Sequence, residues 1–160
     1  RGGGFVYDAI WGPATGVATT TTRAFFGLAV VTSAPTDVEP STVVSCVAMG
    51  WDAADTNVQI MHNDSAGTCT KIDLGSNFVV PTTDRTQLYR LELFSPQSTT
   101  QSIEYRVTNI NTGNVATGTI STNMPATTAL MAPRGWVSVG GTSSVIGLGV
   151  TSLYCEPLLF

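Results

Sequence analysis

Residues 46–75 read CVAMGWDAADTNVQIMHNDSAGTCTKIDLG. Two polar corners divide this stretch into strand, turn, strand, turn, strand. Residues 45–49 (SCVAM) are apolar and stop at Gly50. The corner Asp52-Ala53-Ala54-Asp55 follows. In 57–62 (NVQIMH), Val58 and Ile60 alternate with Asn57, Gln59 and Met61, the period of a strand with two faces. Asn63-Asp64-Ser65-Ala66-Gly67 has the residue types of a tight turn. Residues 68–74 (TCTKIDL) alternate again and end at Gly75.

The same pattern extends in both directions. Residues 5–10 (FVYDAI) form a first strand that Trp11-Gly12-Pro13 is expected to break. The Thr-rich 16–22 predicts a short edge strand, since β-branched residues favour strands. Residues 23–32 (RAFFGLAVVT) are almost continuously apolar, as a central strand would be. Pro35 and Pro40 mark 33–41 as a loop, and Thr36 three residues before Glu39 predicts a single capped turn over 34–39. On the far side, strands are expected at 78–81, 87–95, 102–109, 115–121, 134–141 and 145–156. The alternation in 87–95 (QLYRLELFS) and 102–109 (SIEYRVTN), with the hairpin turn Asn111-Thr112-Gly113-Asn114, predicts a meander with one solvated face. Arg90 paired with Glu104 is expected there. About eleven or twelve strands without crossover helices predict an all-β fold, an antiparallel sandwich or jelly roll.

One domain is expected over 5–160. Arg1-Gly2-Gly3-Gly4 reads as the exit of a linker from a longer chain, of which this is the C-terminal part. The apolar tail Pro157-Leu158-Leu159-Phe160 is expected to pack on the domain or on a neighbouring subunit.

Composition narrows the function. Hydrophobic residues make up 42% of the 160, ample for a core and too many for a disordered chain. Charged residues are 11%, against roughly 25% in ordinary soluble domains, with Thr, Ser and Gly supplying the polarity. The net charge is −4 and the seven Lys and Arg are scattered, which argues against nucleic acid and anionic membranes as partners. No apolar run approaches the roughly 18 residues of a membrane-spanning helix, so no membrane insertion is expected. The three cysteines have no metal-ligand spacing. They read as free thiols in a reducing cytosol, with a Cys46–Cys69 bridge as the alternative.

Chemistry has few places to sit. The one histidine, His62, lies in no nucleophile motif. It reads as a strand-end residue bonded to the Asn63/Asp64 turn, or else as a receptor contact, a metal ligand or a base. Asp52, Asp55, Asn57 and Asp64 offer oxygen atoms without EF-hand spacing, so they read as turn caps rather than calcium ligands. No catalytic residue, metal or cofactor is expected. Sugar recognition sets an aromatic face against the ring C–H groups and uses Asp or Asn for the hydroxyls. Trp51 beside Asp52, Asp55 and Asn57 has that composition, and Trp11 before Gly12-Pro13 is loop-like. Packing in the core is the alternative for Trp51 and Trp136.

Arg23-x-Phe25-Phe26-Gly27-Leu28 and the run from Gly50-Trp51-Asp52 through Asp55-Thr56-Asn57, Gln59-Ile60-Met61-His62-Asn63-Asp64, Gly67-Thr68 and Thr70-Lys71-Ile72-Asp73-Leu74-Gly75 to Phe78 resemble the distal domain of tailed-bacteriophage fibre proteins. Val58 departs from the family pattern, which has an aromatic residue there. The resemblance implies a concanavalin-like jelly roll at the tip of a tail or head fibre. It implies a homotrimer joined to an N-terminal shaft or virion attachment region, made in the host bacterial cytoplasm and carried on the virion. It also implies non-catalytic binding of a host cell-surface receptor, expected to be a glycan. The receptor-binding residues expected on this reading are Trp11, Trp51, Asp52, Asp55, Asn57 and His62. A structural virion protein, capsid or head-decoration jelly roll, is the alternative function. A carbohydrate-active enzyme is disfavoured. Glycoside hydrolysis needs two carboxylates roughly 5–9.5 Å apart, and the E-x-D-x-x-E run that supplies them on such sandwiches is absent.

Overall fold

The computed structural model describes residues 4–16, 19–31, 33–81, 87–141 and 143–158. Among them, ten strands form two five-stranded antiparallel sheets. The first has the order β10-β1-β6-β7-β8. It contains β1 (Gly4–Gly16), β6 (Tyr89–Ser95), β7 (Ile103–Asn109), β8 (Val115–Ile120) and β10 (Ile146–Leu158). The second, β5-β4-β3-β2-β9, contains β2 (Arg23–Ala29), β3 (Cys46–Trp51), β4 (Gln59–Asn63), β5 (Thr70–Asp73) and β9 (Ala132–Ser138). The molecule is the all-β antiparallel sandwich that the alternation predicts.

The sheets differ in what covers them. The three central strands of the second are buried on both faces, and its edges β5 and β9 are largely exposed. Every residue of β3 and β4 is buried, as is β2 beyond Arg23. β2 and β3 are near-continuous apolar runs for that reason, while β4 buries the polar Gln59, His62 and Asn63 as well. Phe26, Leu28, Val47, Met49, Trp51 and Ile60 face the first sheet. Phe25, Ala48, Met61 and Trp136 form a smaller cluster on the other side. The segment 37–43 crosses that side, tied by Asp37 to Ser138, by Glu39 to the Ala53 amide and by the Ser41 carbonyl to the Cys69 amide. The first sheet has one open face. Tyr89, Leu91 and Leu93 of β6 are buried, while Arg90, Glu92 and Phe94 point out. In β7, Ile103, Tyr105 and Val107 are buried and Glu104 and Arg106 are exposed. The meander and its solvated face form as expected, closed by Gly113 at φ 76°.

An aromatic stack joins the sheets. Trp11 of β1 lies against Phe26 at 5.1 Å and 20°, and against Trp51 at 5.8 Å and 9°. Both tryptophans are fully buried.

Several local expectations fail. Trp11-Gly12-Pro13 does not break the first strand. Pairing of β1 with β6 ends at Trp11↔Tyr89, so Pro13 has only β10 beside it, and bulges after Ile10 and Pro13 absorb the misfit. The expected edge strand 16–22 falls partly outside the described residues, and Thr19 to Thr22 makes a turn. No capped turn forms over 34–39, because the Glu39 carboxylate is drawn to Arg23 and Ala53. A 3-10 turn at Pro40–Thr42 follows instead. Around 78–81 only an isolated bridge, Asn57↔Val79, is present. Gly4 belongs to β1 rather than to a linker, and Leu158 pairs with it. Leu159 and Phe160 lie outside the described residues.

Candidate functional site

The corner after β3 holds Asp52, Asp55 and Asn57, but their polar atoms are already engaged. Lys71 on β5 places its ammonium 3.1 Å from Asp52 and 2.6 Å from both Asp55 oxygens. The other Asp52 oxygen accepts the Ser41 amide at 3.0 Å, and Asp55 accepts the Asp52 amide at 2.8 Å. Partial burial opposes the Lys71 charge, yet the hydrogen bonds to Asp55 and Asp52 prevail and raise its pKa. Asn57 Nδ2 donates to Asp73 at 3.0 Å. The Gly75 amide, first, and then Asn57 hold the Asp73 carboxyl below its usual range. The corner is a clasp between the β3–β4 turn and β5. A cation would have to displace Lys71, so EDTA or added calcium is expected to leave the melting temperature within about 2 °C; a larger shift, on the order of 1 kcal/mol, would mean that the carboxylates ligate metal.

The other expected receptor-binding residues are structural. Trp51 sits beside the corner but turns inward, its indole donating to the Thr22 carbonyl at 3.1 Å. Trp11 is a core residue and not a loop residue. A fully buried ring has no face to offer a ligand. His62 is 3% exposed. Its Nδ1–H donates to the Asn123 carbonyl at 3.0 Å, 61 residues away, rather than to the neighbouring turn. Asn123, at φ 46°, also accepts the Asp64 amide and donates to Thr70, fixing the 121–131 segment to β4 and β5.

What the molecule does present to solvent is the open face of the first sheet. Register aligns its side chains in cross-strand rows. Tyr154, Asp8, Glu92, Arg106 and Thr117 form one, and Glu156, Val6, Phe94, Glu104 and Thr119 the next. Between them lies a shallow groove of about 450 Å³. Phe94 is 41% and Tyr154 52% exposed. Arg90 grips Asp8 with two bonds, Nε to Oδ1 at 2.9 Å and Nη2 to Oδ2 at 2.6 Å. It also meets Glu92 at 3.4 Å, and Arg106 meets the other Glu92 oxygen at 3.7 Å. The expected Arg90–Glu104 pair does not form, because Arg90 stands opposite Thr108. The Asp8 carboxylate, through its hydrogen bonds, raises the Arg90 pKa. Such exposed pairs contribute only about 0–1 kcal/mol each to stability. Their effect is positional: they hold planar donors and acceptors beside an exposed ring. The Glu92 Oε2 atom is buried without a hydrogen-bond partner. The Arg106 guanidinium is the charge that faces it.

A second cleft, about 350 Å³, opens between the sheets among Phe5, Leu28, Ile103, Pro125, Met131 and Pro157. Two of its polar side chains are occupied. Ser95 donates to the Ser102 carbonyl and Gln101 to the Pro125 carbonyl. The open face therefore has the better chemistry for a polar ligand. The sequence contained a signal for it that alternation alone hides: Phe94 is an aromatic residue at an outward position of an otherwise polar row.

No family model matches the chain, and no curated protein matches it. Solved structures do. The lectin UEA-II complexed with galactose superposes with a TM-score of 0.60 at 15% identity, covering 98% of this chain and 73% of that one. Lectin II from Ulex europaeus gives 0.56 at 15%, covering 98% and 74%. Scytalido-glutamic peptidase with a transition state analog inhibitor gives 0.53 at 11%, covering 97% and 79%. At these identities the likeness establishes a lectin-like β-sandwich. Fold alone does not choose among functions, and these neighbours include both lectins and a peptidase.

Proposed function

We propose that this domain binds a host cell-surface glycan, without catalysis, across the open face of the first sheet, as the receptor-binding tip of a phage fibre. The observation that carries the reading is the groove. An exposed phenyl ring lies beside fixed planar carboxylate and guanidinium groups, which suits the apolar C–H face and the hydroxyls of a sugar. The lectin-like fold supports it, and the fibre assignment rests on the resemblance of residues 23–28 and 50–78. Titration with glycans extracted from host cells tests it. Saturable binding without release of reducing ends is expected. Absence of binding to any host-cell material would return the domain to a structural role in the virion.

Three copies per fibre would multiply weak single-site affinities, and β10 supports that assembly. It is a 13-residue edge strand, exposed from 150 to 157. Val150, Leu153, Cys155 and Pro157 share the side of Trp11, Ala9, Tyr7 and Phe5, yet Val150 and Leu153 stay about half exposed. A long edge whose one charged residue is Glu156, with an apolar side, invites a partner. Light scattering is expected to give three times the chain mass, and Leu153→Arg to give the single-chain mass. A monomeric parent would remove the trimer.

A further inference from the structure

We infer that Cys46 and Cys69 are a latent disulfide, reduced where the chain is made and joined when the domain meets a small-molecule disulfide outside that compartment. The two residues are 23 apart in sequence, and their sulfurs stand 3.5 Å apart. Both are buried and both are free thiols. Each Sγ points at one acceptor, the Val43 carbonyl, at 3.3 Å. Asn63 Nδ2 reaches the same oxygen at 3.4 Å. When oxidation removes the two S–H donors, that carbonyl keeps Asn63, so no buried acceptor is orphaned. A disulfide needs a separation of about 2.05 Å, an approach of roughly 1.5 Å. Residues 64–68, just before Cys69, are exposed and can give that movement.

The two thiols are not equivalent. Cys46 is fully buried, and its hydrogen bond with Cys69, then desolvation, push its pKa up. Cys69 lies next to the exposed turn. In exchange with oxidised glutathione, Cys69 gives up its proton and attacks one glutathione sulfur. The glutathione S–S bond breaks, and the first glutathione leaves as thiolate and takes a proton. The hydrogen bond that held Cys46 protonated is then gone. Cys46 loses its proton, attacks the Cys69 sulfur and expels the second glutathione. Two protein thiols are oxidised, one glutathione disulfide is reduced to two thiols, and the two protons follow the two electrons.

Cys155, exposed on β10, would confuse the measurement, so the test uses the Cys155→Ser chain. This chain is incubated with oxidised glutathione and digested without reductant. A peptide pair joined through Cys46 and Cys69 is expected, with the intact mass lower by two hydrogens. The melting temperature should rise by roughly 5–10 °C, as closing a loop of this length predicts, and reductant should reverse it. Cys155→Ser/Cys69→Ser should show neither change. Glutathione left on Cys69 without transfer to Cys46, linkage only between chains, or complete resistance to oxidation would each overturn the inference.

Discussion

Replacing Trp11 or Trp51 by Ala lowers the unfolding free energy by about 3–5 kcal/mol in each case, the cost of removing a large buried ring. Domains of this kind are stable by only about 5–15 kcal/mol, so either variant is left near the limit of folding. The two rings stack at 5.8 Å, and Phe26 also stacks on Trp11 at 5.1 Å. Phe replacements separate packing from hydrogen bonding. Trp11 Nε1 finds no hydrogen-bond partner, whereas Trp51 Nε1 donates to Thr22. Trp11→Phe removes a buried donor that is already unsatisfied. Trp51→Phe strips a buried carbonyl of its partner, an added cost of about 1–3 kcal/mol. Urea unfolding monitored by circular dichroism is the measurement. If the Ala variants unfold at the parental midpoint, the stack does not hold the sheets together. If Trp11→Phe is the worse of the two Phe variants, the hydrogen-bond reasoning is wrong.

The second large effect falls on binding. Phe94→Ala is expected to weaken glycan affinity by about 1–3 kcal/mol, the range for an aromatic anchor at an interface, and to leave the fold intact because its ring is 41% exposed. Arg90→Ala is expected to lower affinity as well, since Asp8 and Glu92 then lose the guanidinium that orients them. Asp52→Asn should bind like the parent, because that carboxylate is committed to Lys71 and the Ser41 amide. The order reverses the sequence-based expectation, which placed the receptor site at Trp11, Trp51, Asp52, Asp55, Asn57 and His62. Calorimetric titration of folded variants decides between them. Should Asp52→Asn lose affinity while Phe94→Ala keeps it, the ligand sits at the β3–β4 corner and not on the open face.

The sequence alone determined the class of the fold, because strand alternation is a property of neighbours along the chain. In 87–95 it separated Arg90, Glu92 and Phe94 from Tyr89, Leu91 and Leu93, and in 102–109 it turned Ile103, Tyr105 and Val107 inward, as the structure has them. The continuous apolar runs at 23–29 and 46–51 likewise followed from burial on both sides. Composition placed tryptophan beside acidic residues, and there local reasoning stopped. Whether Trp11 faces solvent depends on a second sheet closing over it, and the Gly-Pro that follows it in the chain carries no information about that. Which carboxylate holds Arg90 depends on the β1–β6 register, which brings together residues 82 positions apart. The Lys71 clasp and the Cys46–Cys69 approach likewise depend on strand order across the second sheet. Burial and pairing are set by contacts between strands remote in sequence, so only the tertiary structure decided which polar groups were spent on the fold and which remained for a ligand.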